Sequence, residues 1–216
     1  ALGALTINAQ TAVIESGGFW DNWSMGIQGG ATMKTSGAAF FKSARPAFGL
    51  TIGKQWTPIL GTDIQGMGYV NTTNSSTIID ATDVSLIGRM NLMNLFGAYD
   101  GMPNAFEIET VTGLGWLHHY STGDGDTNDL SARVGLNFNF NFGNDAAWTF
   151  GIKPAMVFNL TGDFPTRKLG FNKKHSNVEI LLGLTYHFAD ADGNRHFAMV
   201  NAVDPMAVAA MNEEIN

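Results

Sequence analysis

A histidine pair close to a serine is the residue group in this chain whose types and spacing could support catalysis. His118 and His119 are followed by Ser121, so an imidazole could act as the base that activates the serine hydroxyl. Such a site also needs a third group that orients the base, and the stretch downstream offers Arg133 and no glutamate. We therefore expect no enzymatic activity and interpret the pair as part of the rim of the fold.

The segment from Asp124 to Asp129 could instead bind a cation, because it carries oxygen ligands at alternating positions. The glycine and the terminal glutamate that an EF-hand loop places at fixed positions are absent, and the same composition is common in solvated turns. The chain has no cysteine, which excludes thiolate metal sites. A solvated loop is the favoured interpretation, and neither a metal nor a cofactor is predicted.

The elements that must position these residues show a strong two-residue period. Between Asp129 and Phe142, every second residue from Leu130 onward is apolar, and the residues between are polar or small. Strict alternation of this length indicates a strand with one apolar and one polar face. Seven further segments are strand-like: about Trp23–Lys34, Arg45–Trp56, Leu60–Asn71, Asp83–Asn94, Ala105–Tyr120, Trp148–Leu160 and Asn177–Phe188.

Composition indicates what the apolar faces meet. Charged residues make up 14% of the chain, against roughly 25% in soluble globular proteins. A net charge of −7 leaves no basic stripe, which argues against a nucleic-acid partner. A soluble lipocalin-type barrel would need an apolar lumen and a charged exterior, whereas here the polar faces hold Asn, Gly and charges of both signs. We favour a membrane barrel over that soluble alternative.

The connections between the eight segments alternate in length. Short turns contain Thr57-Pro58, Asp100–Pro103 and Gly143–Asp145, while the other connections are longer and polar. Short turns at one rim, long loops at the other and an even strand number are the plan of outer-membrane barrels. The sequence therefore predicts an all-β fold: a closed antiparallel eight-stranded transmembrane β-barrel with short periplasmic turns, longer extracellular loops and periplasmic termini.

Aromatic residues near the segment ends match the girdles that such barrels place at the two membrane interfaces. The alternative is that aromatic residues favour strands in general. The residues predicted to face lipid or to form the girdles are Trp23, Trp56, Trp116, Tyr120, Phe138, Phe140, Phe142, Trp148, Tyr186 and Phe188.

Charged residues of both signs recur on the polar faces. An eight-stranded barrel is only wide enough to be filled by its own side chains. Because an unpaired buried ion costs several kcal/mol, we predict that these charges pair and close the lumen. The predicted interior network consists of Arg45, Asp63, Arg89, Glu107, Glu109, Arg133, Lys153 and Glu179.

Both ends of the chain are predicted to lie outside the barrel, which spans about residues 23–190. Residues 1–22 are predicted to be the remnant of a signal peptide, cleaved near Ala9, followed by a leader. The alternative is an ordinary N-terminus. Residues 191–216 read as a periplasmic linker, in which Pro205 begins a short helix.

A basic cluster occupies the last long loop. It could contact anionic lipopolysaccharide at the outer rim or simply be solvated, and the sequence favours neither. Its residues are Arg167, Lys168, Lys173, Lys174 and His175.

Over about residues 20–190 the chain resembles the N-terminal barrel of OmpA-like outer-membrane proteins. Besides the alternating segments, the resemblance rests on Asn91–Tyr99 before a turn, Gly113–Trp116, and the terminal Tyr186-x-Phe188. The final strand is similar to the signal read by the barrel-assembly machinery, although Leu181 stands where that pattern has a polar residue.

The resemblance implies a structural protein that anchors the outer membrane, with surface adhesion through its loops. Expected partners are outer-membrane lipids and lipopolysaccharide, the barrel-assembly machinery, and peptidoglycan through a C-terminal domain that this chain lacks. One alternative is a narrow or gated porin-like channel. The other is a lipid A-modifying hydrolase, because His119-x-Ser121 resembles a motif of outer-membrane lipid A deacylases.

Overall fold

Eight antiparallel strands form a closed barrel in the computed structural model. The structure describes residues 12–14, 18–36, 40–71, 78–97, 99–121, 125–161, 169–171 and 173–201. A short strand β1 (Ala12–Ile14) precedes the barrel and β10 (Met199–Asn201) follows it. The barrel strands are β2 (Trp23–Lys34), β3 (Arg45–Gln55), β4 (Leu60–Val70), β5 (Ile79–Asn91), β6 (Phe106–His119), β7 (Thr127–Phe142), β8 (Trp148–Asn159) and β9 (Ser176–His187).

Each barrel strand pairs with the next one along the chain, and β2 pairs with β9 to close the wall. At the closure Gln28 lies opposite Gly183 and Ile27 opposite Leu184. Closure leaves the barrel without a free sheet edge, so each of its eight strands has two hydrogen-bonded neighbours. The predicted closed, antiparallel, eight-stranded barrel is confirmed.

Strand β5 ends earlier than predicted, because a helix follows it. Helix α1 (Leu92–Phe96) begins where Asn91 acts as its N-cap: the side-chain oxygen accepts from the backbone N–H of Asn94 at 3.1 Å. Asparagine is a preferred N-cap, so it ends the strand and starts the helix locally. Nδ2 of Asn94 then donates to the carbonyl of Pro58 at 2.9 Å, which ties α1 to the neighbouring turn.

The two ends of the barrel differ. We call the end at which β2 begins and β9 ends the terminal end; its connections are residues 56–59, 92–105 and 143–147. The opposite loop end carries residues 35–44, 71–78, 120–126 and 160–175.

The segments outside the barrel meet in a small sheet. Strand β1 pairs antiparallel with β10, and Val13 lies opposite Val200. These strands fall within the predicted leader and linker, so both segments carry structure next to the terminal end. The short helix predicted to begin at Pro205 lies outside the described residues.

The two faces of the wall have opposite character. In β7, Val134 and Phe140 are exposed, whereas Arg133, Asn137 and Asn139 are buried. The alternation therefore directs apolar side chains outward and polar side chains into the lumen. No helix in the described part of the chain is long and apolar enough to cross a membrane.

Candidate functional site

The polar lumen is the candidate functional site, and Arg89 is the centre of its ion pairs nearer the terminal end. Nε of Arg89 donates to Asp63 and Nη1 donates to Glu109, both at 2.8 Å. The other carboxylate oxygen of Glu109 accepts from Nδ2 of Asn139 at 2.9 Å and from Nδ2 of Asn137 at 3.2 Å. One guanidinium therefore links β4, β5 and β6, and two asparagines add β7 to the network.

Lys153 of β8 extends into the same region but makes no ion pair with any carboxylate in the described part of the chain. Its Nζ lies 3.4 Å from Oε1 of Gln28, and Nε2 of Gln28 in turn contacts the sulfur of Met67 at 3.1 Å. The amide of Gln28 thus connects the lysine to the middle of the lumen across the β2–β9 closure.

A third ion pair, between Arg133 and Glu179, lies nearer the loop end. Nη1 of Arg133 donates to Oε2 of Glu179 at 2.5 Å, and Tyr69 donates its hydroxyl to Oε1 at 2.7 Å. Glu179 is 0% exposed and Arg133 is 4% exposed, so both charges are removed from water. Nε and Nη2 of Arg133 have no hydrogen-bond partner among the described residues. Glu179 is therefore the group on which burial of the Arg133 cation depends.

An apolar cluster fills the lumen beside this pair. Leu181 is 1% exposed and packs with Ala47 and Met67, with Tyr69 against them. Its inward position explains why Leu181 departs from the polar residue of the assembly signal: the side chain fills the lumen.

Asp83 forms a third group, closer still to the loop end. Its carboxylate accepts from the hydroxyls of Ser85 and Ser131, and Asp83 has no cation within ion-pair distance among the described residues. A Cβ at Gly115 would lie 2.9 Å from Oδ1 of Asp83, so the glycine makes room for the carboxylate. Two hydroxyls, instead of a cation, satisfy this buried acid.

Of the eight residues predicted to form the network, the structure places seven in the lumen and one outside it. Glu107 accepts from Nδ2 of Asn141 at 3.0 Å, so it is held by an amide and not by a predicted cation. The placement predicted for Arg45 is wrong. Arg45 is exposed at the first residue of β3, because the strand begins at the loop end where side chains reach solvent.

Residues after β9 cover the terminal end of the lumen. Phe197 is buried, and its carbonyl accepts from the Tyr99 hydroxyl at 2.9 Å. Nη1 of Arg195 donates to the carbonyl of His187 at 2.9 Å, while the backbone N–H of Arg195 donates to Asp145 at 3.0 Å. A cavity of about 90 Å³ lies beneath this cover. The segment therefore acts as a cap on the lumen.

Burial changes the acidity of Tyr99, which contacts the cap, and of His196 within the cap. It raises the pKa of Tyr99, and the negative charge of Glu107 raises it further. It lowers the pKa of His196, whose Nε2 lies 3.1 Å from the carbonyl oxygen of Asp145. Both side chains are therefore neutral at pH 7, and Nε2–H of His196 donates a hydrogen bond to that carbonyl.

The histidine pair lies at the loop end, and its two rings face opposite sides of the wall. His118 points outward between Trp116 and Tyr120, with ring centroids 5.7 and 4.5 Å away. Nε2 of His119 lies 3.8 Å from Asp129. The backbone N–H of Ser121 donates to Asp126 at 3.0 Å. The described contacts therefore join neither histidine to the serine hydroxyl.

The other loop candidates lie partly outside the described residues, which omit Asp124, Arg167 and Lys168. Lys174 is exposed in a 3-10 turn (Lys173–His175). In the described residues no group of three or more His, Asp or Glu side chains is arranged to hold a metal ion.

The ten residues predicted to face lipid or to form the girdles all lie on the outward side of the wall. Exposed are Trp56, Trp116, Phe140, Phe142, Trp148 and Phe188, whereas Trp23, Tyr120, Phe138 and Tyr186 are half-buried. Most of them lie at the terminal end, and Trp116 and Tyr120 lie at the loop end.

The sequence prediction missed Lys54, a cation on the outward side of β3. Lys54 lies opposite Trp23 in the β2–β3 register and shares its face with Ile52 and Trp56. The signal in the sequence is that Lys54, a charged residue, occupies a position where the two-residue alternation places apolar residues.

Two solved outer-membrane barrels share this fold. Neisserial surface protein A (NspA) matches with a TM-score of 0.57 and 11% identity, covering 78% of this chain and 98% of that chain. The N-terminal β-barrel domain of Pseudomonas aeruginosa OprF matches with a TM-score of 0.50 and 12% identity, covering 77% of this chain and 97% of that chain. No protein-family model and no curated protein matches the sequence. The chain therefore has the fold of the eight-stranded outer-membrane barrels, in agreement with the OmpA-like barrel predicted from its sequence.

Proposed function

We propose that the chain is a structural, non-enzymatic barrel of a Gram-negative outer membrane, with periplasmic termini and loops at the cell surface. The observation that carries this proposal is the inverted wall: apolar side chains are exposed outside, while Arg133 and Glu179 are buried and paired inside. A soluble barrel would show the opposite arrangement.

The outward apolar residues form a continuous row around half of the barrel. Ile52 pairs with Ile64, Ile64 with Leu86, and Leu86 with Leu114, so neighbouring strands present apolar side chains at one height. All four side chains are exposed. A soluble surface rarely carries contiguous apolar patches above a few hundred Å², whereas a lipid-facing band requires one.

The filled lumen supports a structural role over transport. Leu181, Arg133 and Glu179 occupy the cross-section, and the cap covers the terminal end. Beside Arg133, a cavity of about 20 Å³ has room for about one water molecule. An ion would have to break the Arg133–Glu179 pair to pass.

The remaining roles follow from the resemblance and the geometry together. The loops would provide an adhesive surface and contact lipopolysaccharide, and β9 together with Phe188, which follows it, would be read by the barrel-assembly machinery. Anchoring to peptidoglycan would need a domain joined after the cap. The short β1–β10 sheet supports such a connection, because Met199 of β10 lies beside Gly101 in the connection between β5 and β6.

Planar-bilayer recording tests the closed lumen. We expect no regular current steps from protein whose insertion is verified by flotation with lipid vesicles, because the lumen is filled. Regular current steps would contradict the proposal. The channel alternative would be favoured if the current of each step changed in Leu181→Ala and stayed the same in Arg45→Ala. The second variant is the control, since Arg45 is exposed to solvent at the loop end.

A further inference from the structure

We propose that residues 18–21 form an aromatic clasp, a contact surface for phospholipids that lies outside the barrel strands at the terminal end. The clasp would place Phe19 and Trp20 in the interface of the adjoining leaflet, and Lys54 would hold it against the wall. This inference rests on the membrane-spanning barrel proposed above.

Lys54 is the attachment point of the clasp. Its Nζ donates to three backbone carbonyls of the clasp: Asp21 at 2.7 Å, Phe19 at 2.8 Å and Gly18 at 3.3 Å. An ammonium has three N–H donors, so the clasp satisfies all of them. The cation lies on the outward side of β3, where without the clasp it would meet lipid or the head-group region.

Three aromatic rings surround the same ammonium. Nζ of Lys54 lies 5.0 Å from the ring centroid of Trp56 and 5.5 Å from those of Phe19 and Trp23. These distances are within the range of cation–π attraction. Rings from β2, from the end of β3 and from the clasp therefore shield one charge.

Further hydrogen bonds define the shape of the clasp. The backbone N–H of Asp21 donates to the carbonyl of Gly18 at 3.3 Å, and the Asp21 carboxylate accepts from the N–H of Gly18. Nε1 of Trp23 donates to the carbonyl of Phe19 at 2.9 Å. Asn22, with a φ of 59°, turns the chain from the clasp into β2. The clasp is thus a closed turn with Phe19 and Trp20 at its tip.

The tip is apolar and exposed. Phe19 is 60% exposed and Trp20 is 82% exposed, and their rings contact each other edge-to-face at 5.1 Å. The pair is continuous with the outward aromatic rings of Trp23 and Trp56. Because such rings favour the membrane–water interface, continuity with the apolar wall identifies phospholipid as the occupant.

The absence of cysteine allows a direct test, because one introduced cysteine can be labelled uniquely. A nitroxide is attached to Trp20→Cys, and its collisions with oxygen, which partitions into lipid, and with a water-soluble nickel complex are compared in phospholipid vesicles. Leu50→Cys on the outer wall is the lipid reference, and Asp192→Cys in an exposed turn at the terminal end is the water reference. We expect the label at position 20 to favour oxygen, as at position 50. Adding Lys54→Ala should shift it towards the behaviour at position 192.

The three sites separate the possible failures. A water-like label at position 50 would overturn the membrane-spanning barrel and the clasp with it. A lipid-like label at position 50 with a water-like label at position 20 would contradict only the contact between the clasp and phospholipid. The exposed aromatic pair would then be a contact site for a protein partner. A lipid-like label at position 20 that Lys54→Ala does not move would overturn the role of Lys54 in attaching the clasp.

Discussion

Glu179→Ala is expected to lower the free energy of unfolding by about 3–5 kcal/mol, the usual cost of removing one partner of a buried ion pair. The carboxylate accepts from Arg133 and from the Tyr69 hydroxyl, and it is completely buried. Without it the Arg133 cation has no counter-ion within ion-pair distance in the described residues, and two of its nitrogens already lack partners. The variant therefore leaves an uncompensated charge inside the barrel.

Denaturant titration in detergent, followed by tryptophan fluorescence, measures this loss. Arg133→Ala should also lower stability, whereas Arg45→Ala, the matched control at an exposed arginine, should change it by no more than about 0.5 kcal/mol. A double replacement, Arg133→Met with Glu179→Leu, should recover most of the loss, because apolar pairs often substitute well for buried ion pairs. Equal effects of Glu179→Ala and Arg45→Ala would show that the pair is not buried.

Leu50→Arg is expected to destabilise the bilayer-inserted barrel by about 2–4 kcal/mol, as arginine does at the midplane of a lipid-facing barrel surface. Leu50 is 62% exposed near the centre of β3 and lies opposite Ile27. On a water-exposed surface the same change would cost almost nothing, because it would move an apolar side chain out of water. The sign and size of the effect therefore identify the solvent that surrounds the barrel.

The measurement is equilibrium unfolding from phospholipid vesicles. Phe188→Arg is the control, since Phe188 is also outward and exposed but lies at the terminal end, where the cost should fall to about 0–1 kcal/mol. If Leu50→Arg were as mild as Phe188→Arg, the apolar row would not be in the hydrocarbon core.

The two-residue period, the alternating connection lengths and the low charge content together predict the barrel. The period identified β7 and the other seven strands, because each alternates over most of its length, and strands of this kind must pair. It could not predict where β5 ends, since Leu92 and Met93 continue an apolar run while Asn91 caps a helix. Strands β1 and β10 were missed because three residues are too few to show a period.

For the lumen, the sequence predicts which side chains point inward but not which of them contact each other. Parity alone puts Arg133 and Glu179 on the inner side, but which charges meet depends on the stagger of all eight strands. The contact between Tyr69 and Glu179 joins residues 110 positions apart, and no local pattern encodes it. The alternation also does not show how far a residue lies from the end of the barrel. The prediction therefore includes Arg45 in the network, although the first residue of β3 is exposed.

Nitroxide scanning along β7, from Val134 to Phe140, tests most directly the claim that the apolar face meets lipid and the polar face fills the lumen. In phospholipid vesicles, labels at positions 134, 136, 138 and 140 should collide with oxygen more than with the nickel complex. Labels at 137 and 139, on the inward face between these positions, should be immobile and collide little with either reagent. Oxygen contact at the odd positions, or equal nickel contact along the whole strand, would contradict a membrane-spanning barrel with a filled lumen.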